Sequence, residues 1–87
     1  MDLYRVEVSR RGLKAWVALP RREQQRIRAA IDLLSDQPRP PGCVALSGEA
    51  NAYRVRVGDY RIVYDVLDDR LIIQVIRIAR RRDVYRK

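Results

Sequence analysis

YRVRVGDYRIVY, residues 53–64 of an 87-residue chain, decides how this protein folds. Apolar and polar residues alternate on both sides of Gly58-Asp59, the period of a half-buried strand pair. Glycine at the first central position of a two-residue turn fits a type II′ hairpin. Such a turn fixes the register: Val57 faces Tyr60, Arg56 faces Arg61, Val55 faces Ile62, and Arg54 faces Val63. Alternation then collects Arg54, Arg56 and Arg61 on one sheet face, and Tyr53, Val55, Val57, Tyr60, Ile62 and Tyr64 on the other. The second set is apolar enough to lie beneath helices. The first sets like charges directly opposite each other, at a cost of a few tenths to about 1 kcal/mol. Folding does not require that cost, and an anion lying across the face would reverse its sign. The plainer alternative is a solvated face on which Asp65 or Gln74 dilutes the repulsion. Three arginines together favour a phosphate-binding surface.

Downstream, residues 71–78 (LIIQVIRI) are apolar on nearly both faces, which suits a strand inside the sheet and leaves its register open. Asp68-Asp69 marks the turn before it. Upstream, residues 3–8 (LYRVEV) alternate as a strand with Tyr4, Val6 and Val8 on one side. Ser9 then caps a short helix carrying Leu13, Trp16 and Val17. Pro20 closes that helix or opens the next, which runs to Asp36 with Ile27, Ala30, Ile31 and Leu34 along one stripe. QPRPPG, residues 37–42, cannot continue a helix and makes a stiff connection to Val44, Ala45 and Leu46. SGEAN, residues 47–51, is a polar loop. The order β-α-α-β-β-β predicts an α+β fold, a mostly antiparallel twisted sheet with a helical pair on one face. The length suits a single domain spanning residues 1–87.

The charge balance narrows the partner. Nineteen Lys+Arg against eleven Asp+Glu give +8 and leave the chain without histidine. All but Lys14 and Lys87 of the basic residues are arginine, whose planar donors match phosphate in pairs and stack on bases. A polyanionic partner follows, either nucleic acid or an acidic protein. Apolar runs are broken by Arg or Asp too often to span a bilayer, and the N-terminus lacks a signal peptide's apolar stretch. A lone Cys43 cannot form an internal disulfide. A reducing, cytoplasmic setting without membrane contact is expected. No carboxylate, His or Cys cluster has metal-ligand spacing, so neither metal nor cofactor is expected. Trp16 reads as helix packing and Cys43 as a bystander. Arg10, Arg11, Lys14, Arg21 and Arg22 either extend a nucleic-acid track, bind an acidic partner, or are solvated.

Taken together, the order β-α-α-β-β-β, the PRPPG connection, YRVRVGDYRIVYDV and the closing IARRRDVY resemble the RelE/ParE superfamily of bacterial and archaeal toxins, over nearly the whole chain. The RelE-like branch is favoured. That resemblance implies a type II toxin that cuts messenger RNA in the ribosomal A site, the ribose 2′-OH attacking the adjacent phosphate. It implies an acidic antitoxin as partner, a toxin–antitoxin hetero-oligomer, and contact with ribosome and mRNA. By position, Arg54 and Arg56 match basic residues that hold the RNA backbone, and Arg61 matches the arginine at the scissile phosphate. Arg81 matches the arginine that stabilises charge or protonates the leaving oxygen. Tyr85 matches the tyrosine that stacks on a base and takes the 2′-OH proton. Arg80 and Arg82 flank Arg81 and extend the RNA contact.

This sequence departs from the family pattern in three ways. Ala79 and Arg80 stand where many relatives have Gly-His, no histidine is present for acid–base work, and the extra C-terminal helix of some members is not expected. Guanidinium stays protonated, so Arg54 and Arg56 cannot act as bases. Asp83 and Glu49 are rival bases to Tyr85, with Asp83 the better ion-pair partner for Arg81 and Arg82. The alternatives are a ParE-type inhibitor of DNA gyrase and an inactive relative that only binds an antitoxin.

Overall fold

The computed structural model describes residues 3–80. Period-two sequence becomes strand: β1 (Arg5–Val8), β3 (Ala52–Val57), β4 (Tyr60–Leu67) and β5 (Ile72–Arg80), with a two-residue β2 (Val44–Ala45) added at the sheet's edge. The helices are α1 (Arg10–Val17) and α2 (Arg21–Asp36). Strand order is β1-β5-β4-β3-β2, antiparallel except for the parallel pair of β1 and β5. Thus β5 lies inside the sheet as its two-sided hydrophobicity requires. The PRPPG segment delivers Val44 and Ala45 to β3 as a short strand that the sequence left as connection.

Local chemistry sets the helix ends. Ser9 is the N-cap of α1, its Oγ accepting from the Gly12 amide at 3.0 Å. Pro20, in extended conformation, is the N-cap of α2, so its missing amide costs no helical bond. Trp16 joins the two helices, its Nε1 donating to the Gln24 carbonyl at 3.1 Å, while Gln24 Nε2 donates to the Val17 carbonyl at 2.9 Å.

The core forms where one stripe of α2 meets one face of the sheet. Ile27, Ile31 and Leu34 pack against Ile62, Tyr64 and Val66 of β4 and Ile73, Val75 and Ile78 of β5. Side chains buried this fully contribute about 1.5–3 kcal/mol each. Tyr53, Val55 and Val57 cover the margin of that core, as the alternation of the hairpin requires. The far end of the sheet is tied by polar contacts. Arg39, from the proline segment, forks onto Asp68 at 2.7 and 3.3 Å and donates to the Tyr53 hydroxyl at 2.9 Å. The Tyr4 hydroxyl donates to Asp68 at 2.6 Å, and the buried Tyr64 hydroxyl donates to the Pro38 carbonyl at 2.8 Å.

The first strand starts at Arg5 rather than Leu3, and the last strand differs from the sequence expectation at both ends, running on to Arg80. The last strand begins at Ile72, because Leu71 sits in the preceding turn with φ of 54°, a conformation that no strand continues. The strand also carries a β-bulge: β4 steps from Val63 to Tyr64 while β5 steps from Arg77 to Val75, leaving Ile76 as the extra residue.

Candidate nucleic-acid interface

The β3–β4 hairpin has the register that its turn dictates. Val57 pairs with Tyr60, Arg56 with Arg61, Val55 with Ile62, and Arg54 with Val63. Gly58 has φ of 60° and Asp59 is not among the positive-φ residues, as a type II′ turn needs. Tyr60, Ile62 and Tyr64 are buried against the helices, so Arg54, Arg56 and Arg61 share the opposite face.

Pairing across all strands arranges that face in rows. One runs Val44, Arg54, Val63, Arg77, and the next Arg56, Arg61, Ala79. A third contains Ala52, Asp65, Gln74 and Glu7. The face is therefore polarised along its strands, with arginines toward the hairpin turn and acids toward the other end. Glu7 is held by Arg5 at 3.1 Å. Partial burial, aided by nearby Glu49, pushes the Asp65 carboxyl above the usual carboxylate range. Glu49 therefore sits at the acidic margin of the face.

Arg54 and Arg61 are half-buried, with the Nε of each sealed from solvent, whereas Arg56 is exposed and its Nε donates to the Gly58 carbonyl at 3.2 Å. Packing around the stems of Arg54 and Arg61 restricts their side-chain freedom. Arg26 reaches the same turn from α2. Its guanidinium lies flat over Gly58, so that a Cβ built there would meet Nη2, Cζ and Nη1 at 2.9–3.0 Å.

The structure thus brings Arg54, Arg56 and Arg61 together and adds Arg77, which sequence reasoning missed. Arg80 is set apart. It pairs with Tyr60, so it points to the helical side, where it lines a groove of about 570 Å³ whose other lining residues include Arg11, Leu19, Arg77 and Ile78. Strand alternation at the end of β5 is the reason. Arg81, Arg82, Asp83 and Tyr85 lie outside the described residues. The sequence held only half of a signal for Arg77: alternation groups it with Ile73 and Val75, but the other set carries Gln74, so the pattern alone does not choose between the faces. Among the described residues no group of His, Cys, Asp and Glu could hold a metal ion, and no helix is long and apolar enough to cross a membrane.

The family model described as the ParE toxin of the type II toxin-antitoxin system, parDE, matches residues 6–85. This chain belongs to the RelE/ParE toxin superfamily. Within it the relatives are RelE-like. A protein named as toxin RelE1 in Methanocaldococcus jannaschii is 36% identical over 87 residues, covering 95% of this chain and 96% of that one. A RelE-like toxin protein of Escherichia coli is 33% identical over 86 residues, 94% of this chain and 90% of its own. Among solved structures, the archaeal RelE–RelB complex from Pyrococcus horikoshii OT3 superposes with a TM-score of 0.79 at 28% identity, covering 91% of this chain and 96% of that one. The α+β architecture of this RelE-like toxin is that of its structural neighbours.

Proposed function

We propose that this RelE-like toxin is a ribosome-dependent endoribonuclease that cuts messenger RNA in the A site and is restrained by an acidic antitoxin. The observation that carries the reading is the register-matched pair Arg56–Arg61 beside Arg54 on one face of the hairpin. RNA-backbone phosphate offsets the repulsion among them and is gripped by donors that never deprotonate.

In the proposed reaction the 2′-oxygen attacks the adjacent phosphorus, the bond to the 5′-oxygen breaks, and a 2′,3′-cyclic phosphate is left. Arg61 holds the scissile phosphate, and Arg54 and Arg56 hold the strand. Arg81 stabilises charge on the phosphorane and on the departing 5′-oxygen, which takes a proton from solvent. With no histidine in the chain, Tyr85 takes the 2′-OH proton. Alignment of the 2′-OH with the phosphate is itself worth several kcal/mol, which suits a site rich in positioning groups and poor in bases.

The net charge of +8 steers an acidic antitoxin to the toxin, and the RelE–RelB complexes among the structural neighbours support such a partner. The ParE description of the matching family model favours a second reading, inhibition of DNA gyrase by protein contact. Induction of the toxin followed by mapping of message 5′ ends against codon frame separates the two. In-frame cuts that disappear with Arg61→Ala and slow about a hundredfold or more with Arg81→Ala are expected. Intact messages with stalled replication would replace the ribonuclease with the gyrase reading.

A further inference from the structure

We propose that Arg77 is a further phosphate-binding residue of the arginine face, presented there by the β-bulge at Ile76. The inference rests on the reading of that face as an RNA-backbone surface.

The bulge decides which side of the sheet Arg77 occupies. From the pair Tyr64–Val75, unbroken antiparallel pairing would continue with Val63 opposite Ile76, Ile62 opposite Arg77, and Arg61 opposite Ile78. Arg77 would then enter the core and Ile78 would leave it, and burial of an unpaired guanidinium is prohibitive. The one extra residue produces instead Val63–Arg77, Ile62–Ile78 and Arg61–Ala79. Ile78 is buried, and Arg77 stands on the face of Arg54 and Arg61.

Packing of Ile78 explains the bulge, and position 77 then faces away from the core. Arginine there stands in one row with Arg54, their Cα atoms separated by two strand spacings or about 10 Å. It is also diagonal to Arg61, within reach of a long side chain. Like Arg54 and Arg61, Arg77 is half-buried. Three strands thus each offer a guanidinium at the same end of one face, which widens the cationic surface from a two-strand ribbon to a three-strand cradle.

The segment is held in place by the end of β1 and the cap of α1. The Ser9 amide donates to the Val75 carbonyl at 2.8 Å, and Ser9 Oγ donates to the Ile76 carbonyl at 2.8 Å. Gly12 packs so closely that a Cβ there would lie 3.4 Å from the Val75 carbonyl oxygen and 3.2 Å from Ser9 Oγ. The cap of α1 therefore fixes the backbone from which Arg77 projects, and bulges commonly re-aim a side chain in this way beside functional sites.

The test measures binding of the full chain to a single-stranded RNA oligonucleotide by fluorescence anisotropy across a potassium chloride series. Each phosphate contact contributes about −0.7 to the log–log salt slope for single strands. Arg77→Gln is expected to remove about one such unit and to weaken low-salt binding about tenfold, as loss of a charge-assisted contact does. Arg77→Lys should keep the slope, and Arg70→Gln, at the exposed turn on the opposite end of the sheet, should change neither quantity. If Arg77→Gln fails to fold by thermal melting, Arg77→Met, which keeps the apolar stem, carries the same expectation. An unchanged slope and affinity for the uncharged variant, alongside a reduced slope for Arg56→Gln, would overturn the role of Arg77 alone. Unchanged slopes for both would remove the RNA-surface reading and this inference with it.

Discussion

Replacement of Gly58 by alanine tests the turn on which the arginine register depends. Gly58 holds φ at 60°, where an L-residue bearing a Cβ is disfavoured by about 1–2 kcal/mol. The new Cβ would also meet the Arg26 guanidinium at 2.9–3.0 Å, closer than contact allows. That second cost is small, because Arg26 ends a flexible side chain and its ion pair with Glu23 is long, at 3.8 Å. The backbone therefore dominates, and Gly58→Ala should destabilise the fold by about 1–2 kcal/mol. For a domain of this size each kcal/mol lowers the melting temperature by about 4–8 °C, so calorimetry should show a drop of that order or twice it. Gly58→Asn separates the two terms: asparagine tolerates the left-handed region yet displaces Arg26 just as alanine does. It should recover much of the lost stability. Equal melting temperatures for wild type and Gly58→Ala, or an asparagine variant worse than alanine, would refute the backbone argument and make the Arg26 contact the controlling feature.

Leu71 holds φ of 54° with a branched, largely exposed side chain, so Leu71→Gly should stabilise the protein by about 0.5–1 kcal/mol in urea titration. Ile62 is fully buried beneath α2, and Ile62→Ala should cost about 2–5 kcal/mol by the same measurement. Hydrogen bonds from Arg39 and then Tyr4 hold the Asp68 carboxyl below its usual range. Its contribution is therefore present above the unfolded value of about 3.9 and is lost as pH falls through the lower folded value. Melting temperatures across acidic pH should show the gap between wild type and Asp68→Asn closing in that window. Burial pushes the Tyr64 phenol up, with the Cys43 thiol adding to the effect, so its share of stability is intact below about pH 10 and declines above it. Tyr64→Phe should lose the bond to Pro38, about 0.5–1.5 kcal/mol, and flatten the alkaline limb of the stability profile.

The hairpin was legible in the sequence because everything that defines it lies within twelve consecutive residues. A two-residue turn with glycine first permits one register, and side chains of period two then have no choice of face. The same locality made the stripe of α2, the Ser9 cap and the arginine face readable, and with them Arg54, Arg56 and Arg61. What the tertiary structure decided involves partners distant in the chain. Residues 71–78 are apolar on both sides, so their alternation alone could not choose a face. Only the demand of the core for Ile73, Val75 and Ile78 together forced a bulge at Ile76, turning Arg77 outward and Arg80 toward the helices. Pairing of β1 with β5 and the clasp of Arg39 on Asp68 likewise depend on the closing of long loops. Spacing along the chain carries little information about such contacts, because their geometry is set by how the layers pack.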